Sequence, residues 1–448
     1  MTPTSLPAGP RLPAIVQGLW FVTRPVEYFD RCLARYGDPF TIRLPSTPAV
    51  VMFSDPAAIR DIFTGDAEAL PAGEATANVL LPILGANSVL VLDGARHLRE
   101  RRMMMPPFHG DRMRAYGEVM RDVTERALSD WPVARAFPLM ERTQAITLDV
   151  IVRTVFGLTD GAAMVRLCDL LRRFVAHAVN PLYLWRPLQK DLGPMSPWGR
   201  FVRLRREIDA LLDAEIAARR SAPNADRTDV LELLLAARDE SGAPMGDAEV
   251  RDELMTLLMA GHETTATALA WTVHRVLTEP GVYDTLRREL VAVAGTGPVS
   301  PDDVAKLEYL DGVVKETLRL NPVIPDVMRL VKRPVRIGGL DLPAGIGVAP
   351  NIYAAHRRSD VWPDPLRFRP ERFVGTRPSP YEFFPFGGGL RRCLGMAFAL
   401  YEMKVVLATL FSRADLALAP GYGVKVVRRN VTWVPSEGMP VVLTRRAA

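Results

Sequence analysis

The 448 residues carry 56 Lys and Arg against 51 Asp and Glu, a formal net charge of +5, with 48% hydrophobic and 24% charged residues. These proportions exclude a disordered or fibrous chain and allow an ample core. The basic residues alternate with acidic ones, which excludes the dense basic stripe of a nucleic-acid binder; three cysteines without framework spacing exclude a disulfide scaffold and point to a reducing compartment. Taken in chain order, the first 25 residues are a proline-containing segment whose apolar run, Leu12 to Val22, is interrupted by Pro13 and Gln17. It is too short to cross a bilayer and lacks the form of a signal peptide, so a soluble cytoplasmic protein with no membrane span is expected. Thr41 to Leu44 and Val50 to Phe53 read as a hairpin, and Pro71 to Ser88, with Gly73, Pro82 and Gly85, reads mostly as a loop that could cover a pocket. Helical periods dominate from Asp93 to Leu320. They are broken at Val179 to Trp198, where Tyr183, Trp185, Pro187 and Pro197 fit either a plain loop or a moving lid. A long helix is predicted from Asp247 to Thr278, closed by Pro280; Val335 to Ile337, Gly345 to Ala349 and Pro440 to Leu443 read as short strands. With no repeat and no break in composition, one domain over 1–448 is expected, mainly α with small peripheral β-sheets.

Chemistry concentrates in two places. The first is Cys393 in the run FFPFGGGLRRCLGMAFALYEMK, Phe383 to Lys404. Gly387, Gly388, Gly389 and Gly395 are more glycine than a packed helix start needs, and they would let a flat ligand lie against backbone. A helical pattern follows at once, so the cysteine sits where unpaired helix N–H groups favour a thiolate. Phe386 would shield the sulfur, Arg391 could reach a carboxylate, and the arrangement fits an axial ligand of haem iron. Cys32 and Cys168, each among apolar residues, read as inert small hydrophobes. The second place is Ala260-Gly261-His262-Glu263-Thr264-Thr265 in the long helix. A mid-helix glycine costs about 1 kcal/mol relative to alanine; close helix packing at Ala260 and Gly261, with Glu263 facing water, accounts for the hexapeptide as well as a functional groove does. A lone His262 has no partners at metal spacing and reads as a solvated or supporting residue.

Phe386, Gly389, Arg391, Cys393 and Gly395 resemble the haem-binding signature of the cytochrome P450 family at each defining position. The resemblance implies the fold of that family, a triangular α-rich prism around a buried haem, of the soluble bacterial type. It implies haem b with Cys393 as the metal ligand and Phe386, Gly387, Gly395, Ala260 and Gly261 against the macrocycle. A local widening of the long helix would leave room for dioxygen, with Thr264 hydrogen-bonding it and Glu263 supplying protons. His97, Arg101, Arg329 and Arg391 would hold the propionates. Glu316 and Arg319 share a helix face three residues apart, and with Arg372 of Pro370-Glu371-Arg372-Phe373 they resemble the family's buried structural network. Carried over by position, Leu80, Ile83, Leu257, Val323, Val327 and Trp433 are candidate substrate contacts, equally compatible with ordinary core packing; their apolar character suggests a terpene, fatty acid or steroid-like substrate. The expected activity is a monooxygenase hydroxylation. Rival readings are a peroxide-driven peroxygenase and a haem sensor or carrier without turnover. No flavin, NAD(P)H or iron–sulfur motif is present, so electrons should come from a separate ferredoxin with its reductase, or from a flavodoxin, docking on Arg102, Arg391, Arg392 and Lys404; a monomer is expected.

Overall fold

The structure, a computed structural model, describes residues 6–108, 112–157, 161–178, 189–193, 195–224, 227–295, 297 and 299–446. In chain order the elements are α1 (Ala14–Thr23), α2 (Pro25–Tyr36), β1 (Phe40–Ile42), β2 (Val50–Phe53), α3 (Pro56–Thr64), α4 (Gly73–Leu84), α5 (Gly94–Met104), α6 (Arg112–Ser129), β3 (Ala136–Pro138), α7 (Leu139–Phe156), α8 (Ala162–Ala178), α9 (Pro197–Ser221), α10 (Val230–Ala236), α11 (Asp247–Thr278), α12 (Val282–Ala294) and α13 (Glu308–Leu320). There follow β4 (Arg329–Leu330), β5 (Val335–Ile337), β6 (Leu340–Leu342), β7 (Gly347–Pro350), α14 (Ile352–Ala355), α15 (Met396–Arg413), β8 (Ala414–Leu418), β9 (Val426–Arg429), β10 (Thr432–Pro435) and β11 (Pro440–Arg446). The chain forms two compact units, Met1–Pro71 with Met120–Ile146 and Thr264–Ala448, and Ala72–Val119 with Thr147–Glu263. The division falls within α6, α7 and α11.

The first unit contains every named sheet. β1 and β2 form the expected hairpin, Phe40 opposite Met52 and Ile42 opposite Val50, and β7 joins β2 in parallel with β4 beyond it. On one side Val51, Phe53, Ile59, Ile62, Phe63, Val348 and Phe384 form a buried cluster; on another Phe21, Tyr28, Phe29, Phe40, Met52, Tyr353 and Trp433 do so. The sheet β3-β11-β8 and the hairpins β5-β6 and β9-β10 complete the unit. α3 begins cleanly because Asp55 accepts from the N–H groups of Ala57 and Ala58 and Pro56 occupies the first turn, where its missing donor costs nothing.

The second unit is helical. α8 packs on α9 through stacked Phe174 and Phe201, centroids 4.9 Å apart. α9 starts at Ser196, whose hydroxyl accepts from Gly199 N–H, and α10 at Asp229, which accepts from Glu232 N–H. The expected loop at 71–88 is instead largely α4. Its amino terminus is capped from a distance: Asp93 accepts from the N–H groups of Ala72, Gly73 and Glu74 at 3.0, 3.0 and 2.8 Å. Pro82 is tolerated near the end of the helix, which stops at Gly85 with φ +99°. Part of the predicted loop or lid between α8 and α9, 179–188, lies outside the described residues.

Candidate haem site

In the first unit, Cys393 is exposed just before α15, in a loop closed by its own N–H donating to Phe386 O at 3.0 Å. The glycines of this loop have two different jobs. A Cβ on Gly388 would lie 2.2 Å from the Phe63 ring and one on Gly389 2.1 Å from Phe63 O, so these two let the loop seat on α3. Gly387, at φ +66°, and Gly395 have nothing within 4 Å of a Cβ position. The surface beside the thiol is therefore open at those two glycines, which fits a planar macrocycle bound through sulfur. Phe386 and Arg391 are half-buried, and Arg392 is exposed with Nη2 3.0 Å from Met396 Sδ. Arg329 is buried in β4, donating to Met328 O at 3.0 Å. Cys32 and Cys168 are buried, and burial pushes each thiol up to about 11, as expected of inert cysteines.

The predicted triad is assembled. Arg319 Nε and Nη2 donate to Glu316 at 2.7 and 2.8 Å, with both side chains fully buried. Arg319 also donates to the carbonyls of His356, Pro365 and Arg367, while Glu316 accepts from Arg372 Nε at 3.3 Å and from Arg369 N–H at 2.9 Å. Burial lowers the Arg372 guanidinium below its ordinary value, against the attraction of Glu316. His356, which sequence reasoning missed, ties this network to the cysteine loop: its Nε2 accepts from Phe384 N–H at 3.0 Å. Burial, then the charges of Arg319 and Arg357, push His356 well below the ordinary histidine value, so the ring is neutral. Trp433 packs among Phe29 and Tyr353, and its backbone N–H donates to Val323 O at 2.8 Å; Val323 is buried and Val327 packs against the Phe53–Phe63 cluster.

α11 is α-helical from Asp247 to Thr278, with no π-helical turn at Ala260 to Thr264 among the described residues. Two side chains from α7 act on this stretch instead, both within the second unit. Thr147 Oγ1 donates to His262 O at 3.0 Å, and a Cβ on Gly261 would meet Ile151 at 3.0 Å. Close helix packing therefore accounts for Gly261. His262 is buried, not solvated, with Nδ1 2.7 Å from Leu258 O. Leu257, Gly261, Glu263 and Thr264 are half-exposed and Ala260 exposed, whereas Leu254, Met255, Leu258, His262 and Thr265 are buried. Positions 257, 260, 261 and 264 fall on one helical face, and it is the accessible one.

In the second unit, His97 is buried and Arg101 half-buried, four apart on α5. Leu80 is half-exposed and Ile83 buried on α4. The end of α4 is clamped by residues that sequence reasoning missed. Asp252 of α11 accepts from Asn87 N–H at 3.0 Å and Asn87 Nδ2 at 2.9 Å, Glu253 from Val89 N–H at 2.7 Å, and Thr256 donates to Ser88 Oγ at 2.7 Å. Arg205 of α9 donates to Ile83 O and Leu84 O and pairs with Asp252 at 3.4 Å. Glu253 is fully buried, and burial holds its carboxyl well above the ordinary range. Among the expected docking cations, Arg102 pairs with Glu240, and Lys404, half-buried, pairs with Asp311 at 3.1 Å.

The comparisons agree with this geometry. A family model for cytochrome P450 matches residues 7–439. A Mycobacterium tuberculosis protein named as cytochrome P450 135B1 is 40% identical over 434 residues, 97% of this chain and 90% of that one. The chain belongs to the cytochrome P450 family. A second M. tuberculosis relative, named as cytochrome P450 138, is 38% identical, covering 98% of this chain and 97% of its own. Among solved structures, a cyanobacterial cytochrome P450, CYP120A1 with retinoic acid bound, superposes with TM-score 0.85 at 27% identity over 99% of this chain and all of that one. A cytochrome P450DA haem domain superposes with TM-score 0.86 at 24% identity, covering 99% and 98%, and so shares the fold. As a cytochrome P450 the chain is a monooxygenase of a family that uses haem with thiolate ligation, dioxygen and a separate supply of electrons. No helix of the described residues is long and apolar enough to cross a membrane.

Proposed function

We propose that this cytochrome P450 hydroxylates a hydrophobic small molecule of terpene, fatty acid or steroid-like character, as a single domain receiving electrons from a ferredoxin or flavodoxin. The observation that carries the reading is the cysteine loop: an exposed Cys393 beside two glycines, Gly387 and Gly395, with open space where side chains would stand. Cys393 would hold the iron through sulfur, Phe386 would limit water at that sulfur, and His97, Arg101, Arg329 and Arg391 would hold the propionates. When bound, haem supplies the place where dioxygen is activated by two electrons. Glu263, half-exposed at the end of the accessible face of α11, takes protons from water, and the Thr264 hydroxyl beside it hands them on toward that face. Ala260 keeps the face low and Leu257 makes it apolar, while Gly261 lets α11 approach α7 closely. Leu80, Ile83, Val323, Val327 and Trp433 are the further substrate-contact candidates, and the clamp on α4 by Arg205 and Asp252 holds the first two in place. Arg392, exposed beside the cysteine, is the stronger docking cation, since Lys404 and Arg102 are engaged by carboxylates.

The test is a Soret titration of the purified ferric holoprotein with terpenes, fatty acids and steroids, alongside Cys393→His. A saturable shift to high spin, with a thiolate-type reduced carbon monoxide spectrum that the substitution abolishes, is expected. An unchanged carbon monoxide spectrum in Cys393→His would overturn the assignment of the ligand, and no shift across the panel would overturn the substrate class.

A further inference from the structure

α1 is a ten-residue helix, AIVQGLWFVT, without a charged side chain. Leu12 at its entrance and Ile15, Val16, Leu19 and Val22 along it recur at three- and four-residue steps, and they are 45, 66, 44, 65 and 38% exposed. Single exposed hydrophobes are ordinary; a continuous apolar stripe on a surface helix is not.

The helix cannot roll to hide this stripe, because its other face is pinned. Gln17 is fully buried; its Nε2 donates to Pro10 O and Leu12 O at 3.1 and 2.7 Å, and its Oε1 accepts from Tyr28 Oη at 2.9 Å and Arg43 N–H at 3.1 Å. Gly18 lies so close to Pro45 that a Cβ would approach it to 2.7 Å. Phe21 packs edge-on against Phe29, and the Arg428 guanidinium lies 4.1 Å above its ring. Outward exposure of the stripe is therefore built into the unit.

The rim identifies the occupant. Arg11 and Arg43 are exposed, and Arg24 and Arg31 have side chains 71 and 65% exposed. Against these four stand Glu27, which pairs with Arg24 and Arg31, and Asp30, which accepts from Tyr353 Oη. Trp20, half-exposed at the flank with Arg31 5.1 Å from its ring, places an amphipathic aromatic beside the stripe. Two copies meeting through this face about a two-fold axis would bring like-charged rims together. An anionic lipid surface matches both the apolar stripe and its cationic rim.

We infer that α1 is an interfacial helix that seats this protein on an anionic lipid bilayer, with Leu12, Ile15, Val16, Leu19 and Val22 among the acyl chains and Arg11, Arg24, Arg31 and Arg43 at the headgroups. At about 15 Å the helix lies in the interface and does not cross it. Lipid binding stands on this surface alone; only its use, collecting an apolar substrate dissolved in the same bilayer, rests on the function proposed above.

The experiment is co-sedimentation of the full-chain holoprotein with vesicles of phosphatidylcholine alone or containing about a third phosphatidylglycerol, for the native sequence, Ile15→Glu with Leu19→Glu, and Arg24→Glu with Arg31→Glu. Because Ile15 and Leu19 are already in solvent, circular dichroism and the haem spectrum of that variant should be unchanged. Binding to anionic vesicles should weaken about tenfold or more in the Ile15, Leu19 variant, and the arginine variant should lose binding together with its salt dependence. Equal binding by the native chain and the Ile15, Leu19 variant would overturn the inference, as would no binding to either vesicle. A native dimer in sedimentation velocity that this variant converts to monomer, without vesicle binding, would also overturn it by assigning the face to a second copy.

Discussion

Each unit of the molecule has a buried arginine held by carboxylates, Arg319 in one and Arg219 in the other, and the two are held differently. Arg319, in the sheet-bearing unit, is fully buried and has one carboxylate, Glu316, which it grips with two donors while its remaining hydrogens go to carbonyls. Arg219, in the helical unit, is nearly as buried but has three carboxylates: Asp229 at 2.9 Å, Glu215 at 2.8 Å and Glu232 at 3.4 Å, plus Phe156 O. A buried guanidinium whose charge rests on one partner is stranded when that partner goes; one with three can re-pair. The number of alternative partners, more than burial, sets how much a single substitution does.

The sharpest way to break the comparison is Glu316→Ala, which leaves Arg319 with carbonyls only. A loss of about 3–5 kcal/mol is expected, read as loss of haem-loaded, folded protein in denaturant titrations and reduced carbon monoxide spectra. Asp229→Ala should cost less, about 2 kcal/mol, because Glu215 and Glu232 remain and what goes is mainly the cap of α10 and the forked contact of Arg219 Nη1 with both carboxylate oxygens. If Asp229→Ala proves as damaging as Glu316→Ala, redundancy of partners is the wrong explanation.

Glu402 on α15 marks the other limit, a buried carboxyl whose Oε1 has no hydrogen-bond partner among the described residues. Burial holds it well above the ordinary carboxyl range. From the ordinary range upward the unfolded chain loses a proton that the folded chain keeps, so this group lowers stability as pH rises, by at most about 1.4 kcal/mol per unit. Glu402→Gln should therefore gain stability relative to the native chain between pH 5 and 6, with no gain well below the ordinary carboxyl range; a pH-independent difference in denaturation midpoints would refute it. The smallest effect is expected at the Arg205–Asp252 clamp, where Asn87→Ala removes one side-chain donor but keeps the backbone N–H bond. About 1 kcal/mol is expected, visible as faster hydrogen exchange at residues 83–89 with α11 unchanged.

The same contrast separates what was legible in the sequence from what was not. Glu316 and Arg319 are three apart on one helix and Arg372 lies in a distinctive tetrapeptide, so that network could be read locally. Arg219 and Glu215 look like a routine surface pair four apart, and the decisive Asp229 comes from the next helix. α4 was hidden for a similar reason: glycine and proline at 73, 82 and 85 signal a loop, whereas the cap that rescues the helix is Asp93, displaced along the chain. The long α11 and the hairpin of β1 and β2 followed from period alone. The β3-β11-β8 sheet did not, since it joins strands from the middle and the end of the chain. The glycines around Cys393 were read as one device and are two, because only packing distinguishes the pair seated on Phe63 from the pair left open.

That division of labour bears on how the cofactor is acquired. Gly388 and Gly389 dock the loop on α3, and the Cys393 N–H closes it on Phe386 O, with bonds supplied entirely by protein. These protein contacts help to fix the conformation of the cysteine, and they offset part of the ordering entropy of the loop. A Gly389→Ala chain, with its loop pushed off Phe63, should take up haem slowly even where the final holoprotein is the same.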